Sequence, residues 1–293
     1  MALEKLLRMT QPQLKKALRR ELAALGYRPM SRKGFLYAEG DVPVLLVAHM
    51  DTVHDGPVKT LCRSECGDIL MSPEGVGGDD RAGCHMVLEI ARRHRCHVLF
   101  CEDEEKGGVG AHLFAESGVV PEVNYIVGLD RRGSDDAVFY DCDNPDFAEF
   151  VEGFGFRKAM GSFSDISVVA PELGIAAVNL SCGFYDEHTL HERVDMAVVR
   201  RNVERVCEMV CTETGVFEYM DAEPWFYDDY GCMAKDTALL DFRRYLRLSD
   251  GSLEEYEDED EYFMDAAIGL DKFCDWWEDG CWPNKNILEE ETE

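Results

Sequence analysis

Five candidate metal ligands, two histidines and three carboxylates, recur along the chain in the order His, Asp, Glu, Asp, His. They are His49, Asp79, Glu105, Asp130 and His188. Each has an ordinary structural explanation when it is taken alone, such as helix capping by Asp79. Carboxylates and imidazoles without thiolates are, however, ligands that suit catalytic zinc, cobalt or manganese. Their combination therefore predicts a centre for divalent metal ions.

A run of four acidic residues, 102–105, is difficult to explain by structure alone. Crowded carboxylates repel one another and raise each other's pKa unless cations lie nearby, and divalent ions would offset that repulsion. The alternative is a solvated loop whose carboxylates interact with a helix dipole. Asp51 lies two residues after His49 and points the same way on an extended chain, so it can orient the histidine or tune its charge.

The elements that must position these residues are predicted from apolar segments. Buried strands are predicted where apolar residues run almost without interruption, at residues 42–48, 97–101 and 125–129. Helices are predicted at residues 3–26, 80–93, 107–117 and 196–213. Alternating strands and helices predict an α/β fold, a three-layer sandwich with a mixed, largely parallel central sheet flanked by helices.

The ends of the predicted strands bring the candidate ligands to one edge of this sheet. In open α/β sheets, ligands bind beyond the carboxyl ends of the strands. His49, the acidic run at 102–105 and Asp130 each follow directly from a predicted strand. We therefore expect these residues to share one edge.

Two segments carry most of the specificity of the pattern: His-Met-Asp-Thr-Val at 49–53 and Asp-Glu-Glu-Lys-Gly at 103–107. With the order of the ligands, they resemble the di-zinc exopeptidase superfamily, which includes tripeptidase T, carboxypeptidase G, the aminoacylases and the bacterial leucyl aminopeptidases. The resemblance covers roughly residues 40–210. It implies a zinc-exopeptidase-like fold and two divalent metal ions, with zinc preferred and cobalt or manganese as alternatives.

The resemblance assigns the ligands position by position. It implies that one ion is bound by His49, Asp79 and Asp130 and the other by Asp79, Glu105 and His188. His191 is the competing choice for the last ligand. His188 is preferred because Glu192 completes the family's His-x-x-x-Glu spacing.

The same resemblance implies catalytic roles for Glu104 and Asp51. Glu104 matches the general base, which takes a proton from a water held by the two metals and passes it to the leaving amine. Asp51 matches the acid that accompanies the first histidine. The expected reaction is exopeptidase hydrolysis of a terminal amide bond of a small peptide.

Several functions stay open at this level. An aminopeptidase is preferred, because Asp rather than Glu at position 130 resembles the aminopeptidase members. The alternatives are a deacylase or amidohydrolase acting on N-acyl amino acids, a glutaminyl-cyclase-like transferase with one metal, and a non-catalytic protein that retains the fold. The five donors together with Glu104 argue against the last, because a binding protein needs no base beside two metals.

The segment between Asp130 and His188 bears on the architecture. The tripeptidase T and carboxypeptidase G branches insert a lid or dimerisation domain between the fourth and fifth ligands. Here a predicted strand at 175–180 and short predicted helices already fill this segment. The resemblance therefore implies a single-domain version without a lid domain.

Composition restricts the partners and the location. A net charge of −29 argues against nucleic-acid binding, which requires a basic face. No segment approaches the length of a membrane span, and residues 1–8 carry charges where a signal peptide needs an apolar run, so a cytoplasmic location is expected. The 12 cysteines include no Cys-x-x-Cys pair, so a cysteine-based metal site is not expected.

Charge and aromatic content divide the chain into two predicted regions. Residues 1–215 are predicted to form the di-metal hydrolase domain, and residues 216–293 an acidic, Trp-rich appendage. All four tryptophans lie in the second region, together with the acidic tract 254–261. A solvated surface is favoured there over a flap that covers the site.

Overall fold

The computed structural model describes residues 1–221. Its helices are α1 (Leu3–Leu6), α2 (Gln11–Ala24), α3 (Gly78–Arg93), α4 (Val109–Ala115), α5 (Pro145–Glu152), α6 (Asp165–Leu173) and α7 (Met196–Cys211). Its strands are β1 (Met30–Arg32), β2 (Phe35–Ala38), β3 (Val42–His49), β4 (Cys62–Arg63), β5 (Ile69–Met71), β6 (Cys96–Cys101), β7 (Tyr125–Arg131), β8 (Asp136–Val138), β9 (Arg157–Lys158), β10 (Ala177–Ser181), β11 (Phe184–Tyr185) and β12 (Arg193–Asp195). Most of the predicted appendage lies outside the described residues.

An eight-stranded sheet has the order β1-β2-β6-β3-β7-β10-β8-β9. Strands β6, β3, β7 and β10 run parallel to one another, whereas β1, β2 and β8 pair antiparallel with their inner neighbours. The sheet is therefore mixed with a parallel centre, which confirms the predicted fold class. A second, antiparallel sheet has the order β11-β12-β5-β4 and contains the hairpin formed by β4 and β5.

Strand β3 shows why three layers form. Val44, Leu46 and Ala48 belong to the core shared with α3 and α7. Leu45 and Val47 belong to a separate core shared with α4 and α6. Alternate residues of a strand point to opposite faces of a sheet, so a continuous apolar run requires cover on both faces.

The N-terminal region differs from its prediction. The single helix predicted at 3–26 is wrong, because α1 and α2 are separate helices. Thr10 and Gln13 form a capping box that begins α2, and Pro12 lies in its first turn. Both features mark a helix start, and they outweigh the apolar periodicity that continues across residues 7–10.

The segment between Asp130 and His188 contains no separate lid. Strands β8, β9 and β10 of the central sheet and helices α5 and α6 occupy it. Residues 131–187 therefore hold elements of the central sheet and its helices where the related branches insert a lid, while the single-domain architecture of the chain stays a prediction.

The residues just after position 215 contact the same core. Phe217 packs against Tyr125 and Phe147, and its backbone pairs with Asn124 and Ala176. The boundary at 215 and the appendage remain predictions. Within residues 1–221, no helix is long and apolar enough to cross a membrane.

Candidate active site and metal centre

The parallel strands bring the predicted ligands to one edge of the sheet. His49 is the last residue of β3 and lies opposite Cys101, the last residue of β6. Asp130 lies near the end of β7, the neighbour of β3 on its other side. The acidic run begins directly after β6, so these side chains meet at the carboxyl ends of three adjacent strands.

Asp79 lies between the two predicted histidine ligands. Its Oδ1 atom is 3.0 Å from His49 Nε2, and its Oδ2 atom is 3.2 Å from His188 Nε2. Each oxygen of this carboxylate therefore faces a different imidazole. A bridging ligand between two metal positions requires this arrangement.

Each histidine also contacts a second carboxylate. His49 Nε2 is 3.3 Å from Asp130 Oδ1, and His188 Nε2 is 3.2 Å from Glu105 Oε1. The structure thus brings all five predicted ligands together in two groups that share Asp79. His191, the competing choice, is exposed and lies outside both groups.

Glu104 lies beside the first group. One of its carboxylate oxygens is 3.9 Å from His49 Nε2. Burial, partly offset by the charge of His49, raises the pKa of Glu104 to about 9, and the charges of Asp130 and Asp165 contribute to the increase. Burial also raises the pKa of Asp130 to about 6 and that of Asp165 to about 7.

His188 responds to the same crowding of carboxylates by a raised pKa. Hydrogen bonding to Asp79 and Glu105 raises the pKa of His188 to about 10. Apart from the 3.2 Å contact with His188 Nε2, the buried Oε1 atom of Glu105 has no hydrogen-bond partner among the described residues. The site therefore holds more carboxylate oxygens than hydrogen-bond donors, and raised pKa values offset the excess negative charge. Both observations fit a donor set built for cations.

Asp51 organises the first histidine and the acidic loop together. Its Oδ1 atom is 3.2 Å from His49 Nδ1 and accepts the backbone N–H of Glu104 at 3.0 Å. Its Oδ2 atom accepts the backbone N–H of Glu105 at 3.2 Å. Asp51, the predicted companion acid, thus fixes His49 and the loop of Glu104 and Glu105 through one carboxylate, as outer carboxylates of metal sites do.

Glu192 has a role that the sequence did not predict. Its carboxylate accepts the backbone N–H groups of Gly77 at 2.7 Å and of Asp79 at 2.8 Å. It also lies 2.9 Å from His54 Nε2. Glu192 therefore anchors the turn that presents Asp79. The His-x-x-x-Glu spacing was the available signal, but it identified the residue without its role.

Asp130 is held by residues from two other elements. Ser164 Oγ donates to Asp130 Oδ2 at 3.0 Å, and the side-chain amide of Asn179 pairs with the backbone N–H and carbonyl of Asp130 at 2.9 and 3.0 Å. A buried asparagine inside the apolar strand β10 was a signal that could have identified Asn179.

Asp80 also has an oxygen close to His49 and Asp130. Its two oxygens, however, accept the backbone N–H groups of His49 at 3.1 Å and of Gly83 at 2.8 Å. Both oxygens already have backbone donors, so Asp80 fixes the backbone at the start of α3, and Asp79 is the better bridging ligand.

Glu104 and four of the five predicted ligands line a cavity of about 310 Å³, together with Arg132 and Phe163. A larger cavity of about 480 Å³ lies beside Asp51 and Glu105 without contacting Glu104 or His188. Of these two cavities, the smaller one is therefore the one that a predicted base at Glu104 would face.

The mixed sheet between helical layers, with histidines and carboxylates grouped around Asp79 at its carboxyl edge, is a zinc-exopeptidase-like fold. Residues 36–172 match the family model of Peptidase family M28. This match confirms the resemblance predicted from the sequence. No curated protein matches the chain.

Solved structures support the same fold. The aminopeptidase PepT of Bacillus cereus is 16% identical with a TM-score of 0.60, and the alignment covers 72% of this chain and 97% of that one. A tripeptidase of Staphylococcus aureus is 13% identical with a TM-score of 0.60, covering 71% and 95%. A TET aminopeptidase from a Thaumarchaeota archaeon is 12% identical with a TM-score of 0.56, covering 71% and 94%.

Proposed function

We propose that residues 1–221 contain a metal-dependent aminopeptidase that removes N-terminal residues from small peptides. The observation that carries the proposal is the position of Asp79, whose two oxygens face His49 and His188 separately. Two divalent ions fit this arrangement, with zinc preferred and cobalt or manganese as alternatives. When bound, such ions polarise an amide carbonyl and lower the pKa of water.

The side chains then have distinct tasks. His49, Asp79, Asp130, Glu105 and His188 hold the ions. Glu104 lines the same cavity, and bound cations would lower its raised pKa. Its carboxylate then accepts a proton from the attacking water and returns it to the leaving nitrogen. Asp51 fixes the position of His49 relative to the loop that carries Glu104.

The aminopeptidase is favoured over the other reactions for two reasons. The family model matched by residues 36–172 is a peptidase family, which favours peptide substrates over N-acyl amino acids. A glutaminyl cyclase from Tannerella forsythia has a similar fold, at 15% identity and a TM-score of 0.53, so the fold alone does not separate hydrolysis from cyclisation. Two groups of donors around one shared aspartate favour a reaction with two metals over the one-metal cyclase.

The test uses the full chain, stripped of metal and reloaded with zinc, cobalt or manganese in parallel. Elemental analysis is expected to give two ions per chain. Free-amine dipeptides and tripeptides are expected to be hydrolysed, whereas the same peptides with an acylated amine are not. Turnover of acylated substrates alone would identify a deacylase, and fewer than about one ion per chain would contradict both hydrolase assignments.

A further inference from the structure

Two consecutive arginines line the cavity that contains Glu104, and they differ in exposure and in ion pairing. Both Nε and Nη2 of Arg131 donate to Asp136 Oδ2 at 3.2 Å, and its side chain is only 19% exposed. Arg132 donates through Nη1 to Glu187 Oε1 at 3.0 Å, and its side chain is 49% exposed. A guanidinium has five N–H donors, so Arg132 keeps several of them for another acceptor.

The charges around the cavity indicate which acceptor that is. Apart from the metal ligands and Glu104, the charged side chains that line it are Arg131, Arg132 and Glu187. Asp136 balances Arg131, whereas the partner of Arg132 is Glu187, whose carboxylate belongs to the loop that carries His188. Glu187 therefore occupies the position that an incoming carboxylate would take.

We infer that Arg132 binds a carboxylate of the peptide substrate, so that the enzyme prefers peptides with a negative charge close to the scissile bond. This inference rests on the proposed aminopeptidase function. A planar guanidinium recognises a carboxylate through two parallel hydrogen bonds, which a single contact with Glu187 does not exhaust. An exposed cation that lines the cavity is a local exception to the net charge of −29 and supplies the attraction that an anionic group needs there.

Two groups of a short peptide can supply this carboxylate. One is the side chain of an acidic N-terminal residue, and the other is the C-terminal carboxylate of a dipeptide. Both groups lie roughly 3.6 Å, the length of one residue, from the scissile amide. The chemistry that Arg132 recognises is the same in both cases, so matched substrates must separate them.

The experiment compares kcat/KM of the zinc-loaded full chain for two substrate pairs. Glutamyl and glutaminyl p-nitroanilide differ in the side-chain carboxylate alone. Leucyl-glycine and leucyl-glycinamide differ in the C-terminal carboxylate alone. In at least one pair, the carboxylate-bearing member is expected to be preferred about tenfold or more, the usual value of one charged hydrogen bond.

Variants of the ion pair identify the residue responsible. Arg132→Gln is expected to remove that preference through KM and to leave the uncharged member within about twofold, since the uncharged substrate makes no charged hydrogen bond there. Arg132→Lys should keep part of the preference. Glu187→Gln should increase it, because the competing carboxylate is removed. Arg200→Gln, which breaks a surface pair with Asp68, is the matched control.

The possible results are distinct. Loss of the preference in Arg132→Gln for one pair supports the inference and names the source of the carboxylate. Equal losses for both members of each pair, or no preference in the wild-type chain, would overturn it while leaving the aminopeptidase function intact. Absence of turnover for every free-amine substrate would instead contradict the proposed function.

Discussion

Glu104 and Glu105 are adjacent in the sequence, but their carboxylates have different surroundings. Glu105 Oε1 lies 3.2 Å from His188 Nε2 and belongs to one of the two donor groups. Glu104 approaches a donor only at 3.9 Å, from His49 Nε2, and faces the cavity. The backbone N–H groups of both residues donate to Asp51, so one carboxylate fixes the loop from which the two glutamate side chains point to different surroundings.

Substitution separates the tasks of the two glutamates. Glu104→Gln is expected to lower kcat by about 10²–10⁴-fold, because an amide cannot accept the proton. The variant is expected to keep both metal ions. Glu105→Gln, the matched neighbour, is expected to lose metal from one position. The measurements are kcat with a free-amine dipeptide and metal content by elemental analysis. Retained turnover in Glu104→Gln would remove its assignment as the base.

Substitution of Glu192 tests whether its carboxylate holds the turn that presents Asp79. It is buried, and its carboxylate accepts the N–H groups of Gly77 and Asp79. In Glu192→Gln an amide group replaces one acceptor oxygen, so one backbone N–H loses its partner. We expect a loss of about 1–3 kcal/mol in the free energy of unfolding and about 10–100-fold weaker metal binding.

Denaturant unfolding of the metal-free protein and competition with a zinc-binding dye measure the two effects. The exposed Glu213→Gln removes the same charge without a buried partner and serves as the control. Unchanged zinc affinity in Glu192→Gln would show that the turn before Asp79 holds its position without this carboxylate.

At the scale of elements, α2 contacts the loop that carries Glu104 and Glu105. Gln11 Nε2 donates to Asp103 Oδ1 at 3.2 Å, and its Oε1 atom accepts the backbone N–H of Asp103 at the same distance. Lys15 Nζ donates to Glu102 Oε2 at 2.5 Å. Asp103 has a φ of 58°, a left-handed conformation that is costly outside glycine and requires support from its surroundings.

This contact predicts an effect on catalysis from a residue outside the cavity. Gln11→Leu removes both hydrogen bonds to Asp103, so Glu104 is held less accurately, and kcat is expected to fall about tenfold with little change in KM. Lys16→Gln, on the exposed side of the same helix, is the control. Measurement of kcat, KM and metal content distinguishes lost positioning from lost metal. Equal kcat in the two variants would contradict the role of α2.

The elements also show what can be predicted from the sequence. Strands β3, β6 and β7 were predictable because their apolar runs are buried on both faces, and the ligands follow them directly. Strands such as β9 and β11 have two residues each, which is too short to show the alternating pattern of a strand. The five ligands were predicted from their order, whereas the support by Asn179, Ser164 and Glu192 was not, because it joins residues far apart in the sequence.

At the scale of the whole molecule, charge couples metal binding to stability. The chain has 59 acidic and 30 basic residues. The side chains of Asp79, Glu104 and Asp130 are each only 11% exposed, and all three lie within 3.9 Å of His49 Nε2. Without cations, burial and nearby carboxylates raise the pKa of Glu104 to about 9 and that of Asp130 to about 6, so Glu104 holds a proton at neutral pH and Asp130 holds one below about pH 6. An ion that binds only the folded chain replaces those protons and stabilises the fold by mass action.

Metal removal is therefore expected to lower the Tm of the full chain, and zinc to restore it in a concentration-dependent manner. At a free zinc concentration about one hundred times the Kd, binding to one site stabilises the folded state by about 2.7 kcal/mol. Thermal unfolding across a zinc titration measures this effect, with Glu105→Gln as the comparison because it lacks one donor group. Zinc is expected to raise the Tm of that variant by less, because only the group of His49 and Asp130 then binds an ion with unchanged affinity. Equal shifts in both proteins, or a Tm that does not depend on zinc, would contradict two metal positions that share Asp79.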